Sequence, residues 1–311
     1  MNSGLFAWLR LFLPVALLIG LGGYFYIDNQ QTARLTALQA DESLNVGLGA
    51  AMLDRRTLVL LQDLRYQVRI NTISADNRAV PDSSLIARHF VELLHSKPVY
   101  DELRWIDTNG QELVRVELEG GQPVVVAQER LQNKADRYYF AEAMKLAPGE
   151  VYISPVDLKV ENRGIVVPYK RNLRLAMPLV GNAGDKYGIL VFNYHVDEMI
   201  AYMEAVTKPV ADHLVLLNGA GDFLHSPNSE DERGFIENNK QQGLPARFPA
   251  SWARLIAKDY GQFIDAQGLW TFQAVYPLRV GSPNISTIRA NEQTGLADAA
   301  SVHRWLVVSL L

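Results

Sequence analysis

Between Leu131 and Leu158 the chain reads LQNKADRYYFAEAMKLAPGEVYISPVDL, a stretch that concentrates residues able to hold a small molecule. Arg137 offers a planar fork of N–H donors suited to a carboxylate, Tyr138 and Tyr139 offer ring faces with hydroxyl tips, and Asp157 can accept from an ammonium group. A few convergent polar groups set among apolar ones is the makeup of a small-ligand pocket. Taken singly, each residue also has an ordinary structural role, because aromatics that start an amphipathic helix commonly belong to the core and an arginine beside them commonly stacks or snorkels. The weight rests on the cluster.

The elements that must position these groups follow from hydrophobic periodicity. Upstream, ELRWIDTNGQELVRVEL is two alternating runs about Asp107-Thr-Asn-Gly110, a hairpin in which glycine supplies the positive φ. Downstream, strands are predicted over Val151 to Ser154, Leu173 to Val180 and Tyr187 to Tyr194, separated by turns carrying Gly164 and Gly184. Hairpin, helix and three strands predict a five-stranded antiparallel sheet with its helices on one face. The plan then returns less completely. HLVLLNGAGDFLHSPN is strand, turn and strand, Gly261 to Pro277 is two strands about Gly268, and Phe248, Trp252, Leu255 and Ile256 between them have helical spacing. A helix near Val196 to Val206, ended by Pro209, links the two sheets.

The N-terminal quarter has a different character. Leu5 to Ile27 is apolar except for Arg10 and spans roughly 34 Å as a helix, enough to cross a bilayer. Tyr24 and Tyr26 mark an interfacial end, and GLGGYFYID offers no A-x-A cleavage site, so the segment is expected to be an uncleaved anchor with a cytoplasmic start. From Asn29 to about Ile73 one long helix, or two nearly collinear ones, is predicted. Leu35, Leu38, Leu53, Leu60, Leu61, Leu64 and Val68 form one stripe, with Arg34, Asp54, Arg55, Asp63 and Arg65 on the other face. Gly47 and Gly49 weaken its middle. Its length of roughly 65 Å fits a dimer stalk or a spine along an elongated module, the plain alternative being a helix that covers a sheet. The breaker run SADNRAVPDSS and a helix over Leu85 to Ser96 follow.

Composition narrows the function classes. The 311 residues carry a net charge of −4, which gives no basic surface for nucleic acid, and no cysteine, which excludes disulfides and thiolate metal sites. The six histidines, His89, His95, His195, His213, His225 and His303, lack ligand spacing, and no nucleophile-elbow, phosphate-loop or zinc-protease motif is present. No catalytic residue, metal or cofactor is expected, and an anchored hydrolase ranks below a binding protein. His225 near Asp222 could pair as acid and base, but nothing places a nucleophile beside them. The apolar tail from Trp305 to Leu311 is too short to span a membrane. It is expected either to close the second sheet as a strand or to begin a further crossing in a longer protein.

From about Tyr100 to Leu311 the chain resembles the double Cache (tandem PAS-like) extracytoplasmic sensor domain of bacterial membrane receptors, of the kind found ahead of sensor histidine kinases and diguanylate cyclases. The residues that carry the resemblance are RWIDTNGQELVR from Arg104, LQNKADRYYFAEA from Leu131, VYISPVDL from Val151, RLAMPLV from Arg174, YGILVFN from Tyr187, and LNGAGDFLHSP and GQF further on. It implies an α+β chain with a transmembrane anchor at 1–28, a spine helix at 29–79, a membrane-distal ligand-binding domain at 80–203 and a membrane-proximal domain at 204–311. It further implies residence in the inner membrane with the bulk periplasmic, a homodimer through the long helix, and a small-molecule ligand. Amino-acid-binding members carry Arg-x-Trp-Tyr at the start of the capping helix and Asp after the next strand. Here Arg137 and Asp157 match, Tyr139 stands for Trp, Phe140 for Tyr, and Asn193 fills an end-of-strand position that is often Asp. The expected ligand set is therefore Arg115, Arg137, Tyr138, Tyr139, Phe140, Tyr152, Ser154, Asp157 and Asn193, for a carboxylate-bearing metabolite. The competing class is an anchored periplasmic binding or scaffolding protein without signalling output.

Overall fold

The computed structural model describes residues 3–75, 81–161, 164–165, 169–181, 184–277 and 304–311. The chain opens with one continuous helix, α1 (Ser3–Ala75), of 73 residues, roughly 110 Å long at 1.5 Å per residue. Pro14 lies inside it, and Gly47 and Gly49 do not break it. The expected anchor and stalk are thus one element. Side chains of residues 1–11 and 13 lie outside the described residues, as does part of the expected breaker, 76–80. Among the described residues no helix is long and apolar enough to cross a membrane. Phe12, Leu17, Leu18, Ile19, Phe25 and Ile27 stand exposed along this part of α1.

Past Gln39 the helix becomes a structural spine. Val46, Ala50, Leu53, Leu60, Leu61, Leu64 and Val68 are buried in the main core. The four leucines alone contribute roughly 6–12 kcal/mol by removal from water. Leu35 and Leu38, expected on the same stripe, are 41% and 37% exposed, because they precede the point where Gln262 Nε2 donates to the Gln39 carbonyl from the second sheet. Gly49, which weakens helix propensity, has a packing reason: a Cβ there would lie 3.1 Å from Thr207 Cγ2 and 3.3 Å from Val307 Cγ1. The helix therefore runs the length of the module and also covers both sheets.

Helix α2 (Ser83–Ser96), capped by Asp82 accepting from Ser84 and Leu85 N–H, lies with α1 on one face of the first sheet. That sheet comprises β1 (Tyr100–Ile106), β2 (Glu112–Glu119), β3 (Gln122–Val125), β4 (Tyr152–Ile153), β5 (Asp157–Leu158), β8 (Arg171–Val180) and β9 (Lys186–His195). A two-stranded ribbon, β6 (Val160–Glu161) with β7 (Gly164–Ile165), lies apart from it. The order is β3-β2-β1-β9-β8-β4, with β5 also on β8, all antiparallel. It thus holds seven strands where five were expected: β3 extends the edge, and the downstream segment splits into two-residue strands. The helices also occupy both faces, not one. Alternation sends Leu103, Trp105 and Phe192 toward α1 and α2, and Ile106, Ile189 and Val191 toward α3 (Tyr138–Met144) on the other side.

Helix α4 (Val196–Val206) leads to the second sheet of β10 (Leu214–Leu217), β11 (Phe223–His225), β12 (Tyr260–Asp265), β13 (Gly268–Val275) and β14 (Trp305–Leu310). Short helices α5 (Arg233–Ile236), α6 (Leu244–Arg247) and α7 (Pro249–Ile256) precede β12. The order is β11-β10-β14-β13-β12. The apolar tail is accordingly a central strand and not the start of a helix, with Val307 and Val308 fully buried, as a continuous apolar run covered on both faces should be. In each sheet the first strand pairs with the last, β1 with β9 and β10 with β14, so the two sheets share one plan. Glu42 on α1 accepts from Ser309 Oγ and lies 3.1 Å from His213 Nε2, joining spine to second sheet. Asp63 accepts from Tyr100 Oη at 2.6 Å and pairs with Lys97 beside the first sheet.

Candidate functional site

The face of the first sheet turned away from the spine is charged. Strand register lines up Glu117, Glu102, Asn193 and Arg174 in one row across β2, β1, β9 and β8. The next row holds Arg115, Arg104, Val191 and Ala176. Side chains two apart on a strand share a face, so ELR in β1 and VRVE in β2 present charge on one side while Leu103, Val114 and Val116 enter the core on the other. Under segment 129–137 and the start of α3 these rows floor a cleft of about 1000 Å³. Its lining carries eight cationic and six acidic side chains, an excess of positive charge.

The roof is held in place by the β1–β2 turn. Asp107 Oδ1 accepts from the N–H groups of Asn109 and Gln111 at 2.8 Å, and Gly110 takes φ +83°. A Cβ on Gly110 would lie 2.6 Å from Ala135, so glycine there lets segment 131–137 settle on the turn. Lys134 N–H donates to Gly110 O at 2.7 Å, and Gln111 bridges Asn133. Arg137 is the residue before α3 and makes no side-chain cap, which leaves its guanidinium free to line the cleft. Tyr139, Phe140 and Ala143 anchor α3 on Ile106, Ala176, Ile189 and Val191.

Buried charges in the floor are cross-linked. Arg104 Nη2 donates to Glu102, which also accepts from Asn193 Nδ2 at 2.6 Å. Arg104 Nε lies 3.1 Å from Glu112 Oε1 without the alignment of a hydrogen bond, and Arg115 Nη1 lies 3.5 Å from Glu112 Oε2. Nε of Arg104, Arg115 and Arg174 are all buried without a hydrogen-bond acceptor. Burial opposes ionisation of Glu102, but Arg104, Lys159, Arg115 and Arg174 together outweigh it and hold the carboxyl below its usual range. Burial, and then Arg104, push the Lys134 ammonium below its usual value. Guanidinium groups stay charged at any working pH, so the arginines of this floor can hold an anion without exchanging protons. Among the described residues no group of histidines and carboxylates is arranged to hold a metal ion.

The nine expected ligand residues are distributed among four places. Arg115, Arg137 and Tyr139 line the cleft. Tyr138, Ser154 and Asp157 gather around Arg174: Tyr138 Oη donates to Asp157 Oδ2 at 2.8 Å, Arg174 Nη1 pairs with the same oxygen, and Ser154 Oγ accepts from Arg174 N–H at 3.0 Å. Burial, reinforced by Asp157, pushes the Tyr138 hydroxyl up to about 12. Asp157, expected to meet an ammonium group, thus has one oxygen committed to Arg174. Phe140 and Tyr152 are part of the apolar cluster under α3, and Asn193 lies beneath the cleft on Glu102. Arg104, Glu102, Arg174 and Glu112 are absent from the expected set. For the two arginines the signal was an ion inside a strand whose neighbours on both sides are core, Leu103-Arg104-Trp105 and Leu173-Arg174-Leu175; Glu102 and Glu112 carry no such signal.

Two antiparallel sheets of one strand plan along a single helix, with a charged cleft over the first, make a Cache-like fold. Residues 67–282 match the family described as the bacterial histidine kinase sensor domain, and the chain belongs to that family. Among curated proteins no sequence matches it. The solved domain of a putative sensory box/GGDEF family protein from Vibrio parahaemolyticus is similar in fold, with TM-score 0.59 and 18% identity over 86% of this chain and 97% of that one. The ligand-binding domain of the Pseudomonas aeruginosa amino acid chemoreceptor PctC, in complex with GABA, gives 0.54 and 14% over 89% and 98%. That of the Campylobacter jejuni chemoreceptor Tlp3, in complex with L-valine, gives 0.57 and 8% over 90% and 95%.

Proposed function

We propose that this chain is the extracytoplasmic input module of a membrane-bound receptor, with no catalysis of its own, and that it captures a small carboxylate-bearing metabolite in the first-sheet cleft. The observation that supports this most is the cleft itself: an opening of about 1000 Å³ lined by Arg104, Arg115 and Arg174, with Arg137, which has no carboxylate partner among the described residues, at its roof. Arg115, Arg137 and Tyr139 contact the ligand in this reading, joined by Arg104 and Arg174. Residues 80–203 act as the ligand-binding unit and 204–311 as the relay. Capture shifts α3 and its roof relative to α1, and the shift signals only if the ligand favours one arrangement over the other by a few kcal/mol.

The same reading gives α1 two further tasks. Its exposed apolar residues before Asp28 enter the inner membrane as an anchor, leaving the bulk in the periplasm. Leu44, Leu48 and Tyr66, each exposed, face a second copy of the chain. The test is a thermal-shift screen of the full chain against amino acids and small carboxylates. A hit at 100 times its dissociation constant adds about 2.7 kcal/mol. That gain should vanish in Arg137→Ala, and a hit that stabilises the variant equally removes the site assignment.

A further inference from the structure

We infer that the cleft is built for an organic acid carrying two anionic groups and no ammonium group, a dicarboxylate rather than an amino acid. This inference rests on reading the cleft as the ligand site and concerns which charges are left for a ligand. The deep carboxylates are already committed. Glu102 is held by Arg104 and Asn193, Glu112 accepts from Gln132 N–H at 3.0 Å, and Asp101 pairs with Lys159 and lies 3.4 Å from His195. Asp157 accepts from Arg174 and Tyr138 at Oδ2, and its Oδ1, buried without a hydrogen-bond partner, lies outside the cleft lining. The remaining acids of the lining without a cationic partner, Glu129 and Asp136, are solvent-exposed at the rim, where an ammonium group would gain little over water.

The cations are arranged the other way. Arg137 and Lys170, both half-buried and both lining the cleft, have no carboxylate partner among the described residues, and they come from separate segments of its wall. Lys134 donates to the Gln132 amide at 2.6 Å, and its nearest acid, Glu112, is 3.9 Å away. Burial, and then Arg104, disfavour the charged form of Lys134 more than Glu112 and Glu102 restore it, and an added anion beside it would favour that charged form. A monocarboxylate would satisfy one of the two open cations and leave the other unpaired. A zwitterion would bring its positive end into a wall that already carries an excess of the same sign.

Calorimetric titration of the full chain with matched compounds tests this: succinate against L-aspartate, glutarate against L-glutamate, and butyrate and sulfate as single-group and inorganic controls. The expected result is that one dicarboxylate binds at least tenfold more tightly than its amino-acid counterpart and than either control. Arg137→Gln and Lys170→Gln should each weaken that binding at least tenfold while leaving the circular dichroism spectrum unchanged. An amino acid that binds as tightly as its dicarboxylate, with Arg137→Gln still weakening it, overturns the charge argument but leaves the cleft as the ligand site. Sulfate binding as tightly as the dicarboxylates overturns the organic-acid assignment. Binding of none of these compounds, or binding indifferent to both substitutions, overturns the inference, and indifference removes the site as well.

Discussion

Replacing Arg104 by methionine should expose how the cleft floor is held together. In the native sheet Arg104 is the cation bonded to Glu102, whose side chain is 7% exposed, and it lies 3.1 Å from Glu112. Without it Glu112 keeps Gln132 N–H and Arg115, whereas Glu102 keeps only the Asn193 amide as a direct partner. One buried carboxylate is thus stranded, at a cost of about 3–5 kcal/mol. The sign of the pH dependence follows. Native Glu102 titrates below its unfolded value, so its contribution is present above that value, near 4.3, and is lost as pH falls through the lower folded one. In the variant, burial dominates and the folded value lies above the unfolded one. The destabilisation is then full at pH 7.5 and narrows as pH falls toward about 4. Urea unfolding followed by tryptophan fluorescence reads this, since Trp105 adjoins the substitution. Arg104→Met/Glu102→Gln should recover most of the loss, because replacing both members of a buried pair is close to neutral. A loss under about 1 kcal/mol at pH 7.5, or no recovery in the double variant, would refute the assignment of a stranded charge.

Three further outcomes are expected. Burial raises the Asp54 carboxyl to about 6, so its ionisation destabilises the fold above that pH, and the penalty is relieved as pH falls toward its unfolded value; Asp54→Asn should raise the melting temperature at pH 7.5 and leave it unchanged near pH 4. Gly49→Leu would drive side-chain atoms into Thr207 and Val307 and should cost about 1–3 kcal/mol, measured by chemical denaturation. Leu44→Glu/Leu48→Glu should convert a dimer to a monomer in light scattering without loss of helix content, and an unchanged mass would remove α1 as the pairing surface.

Much of the architecture is legible in the chain because its signals are local. The Asp107–Gly110 turn, the Gly268 turn and helix α4 each sit where turn chemistry and periodicity place them. The face on which α3 packs is not legible in that way. Tyr139 and Phe140 are core residues, but only the pairing of β1 with β9 and β9 with β8 creates the surface of Ile106, Val191 and Ala176 that they cover. β14 was ambiguous because WLVVSL lacks alternation, and a short apolar run does not distinguish a central strand from a helix turn. Arg104 and Arg174 escaped the expected set for a related reason. In one dimension they occupy the polar positions of half-exposed strands, and nothing local says that a segment thirty residues away roofs them. Arg137 was legible because it lies beside its aromatic neighbours in the chain itself.

The most direct test of the central claim is hydrogen exchange by mass spectrometry on the full chain, with and without the tightest ligand from the screen. Capture in the first-sheet cleft predicts slowed exchange in 100–106, 128–144 and 171–176, with the effect abolished by Arg137→Ala. Protection confined to 214–275, or protection of the first sheet that survives Arg137→Ala unchanged, would contradict it.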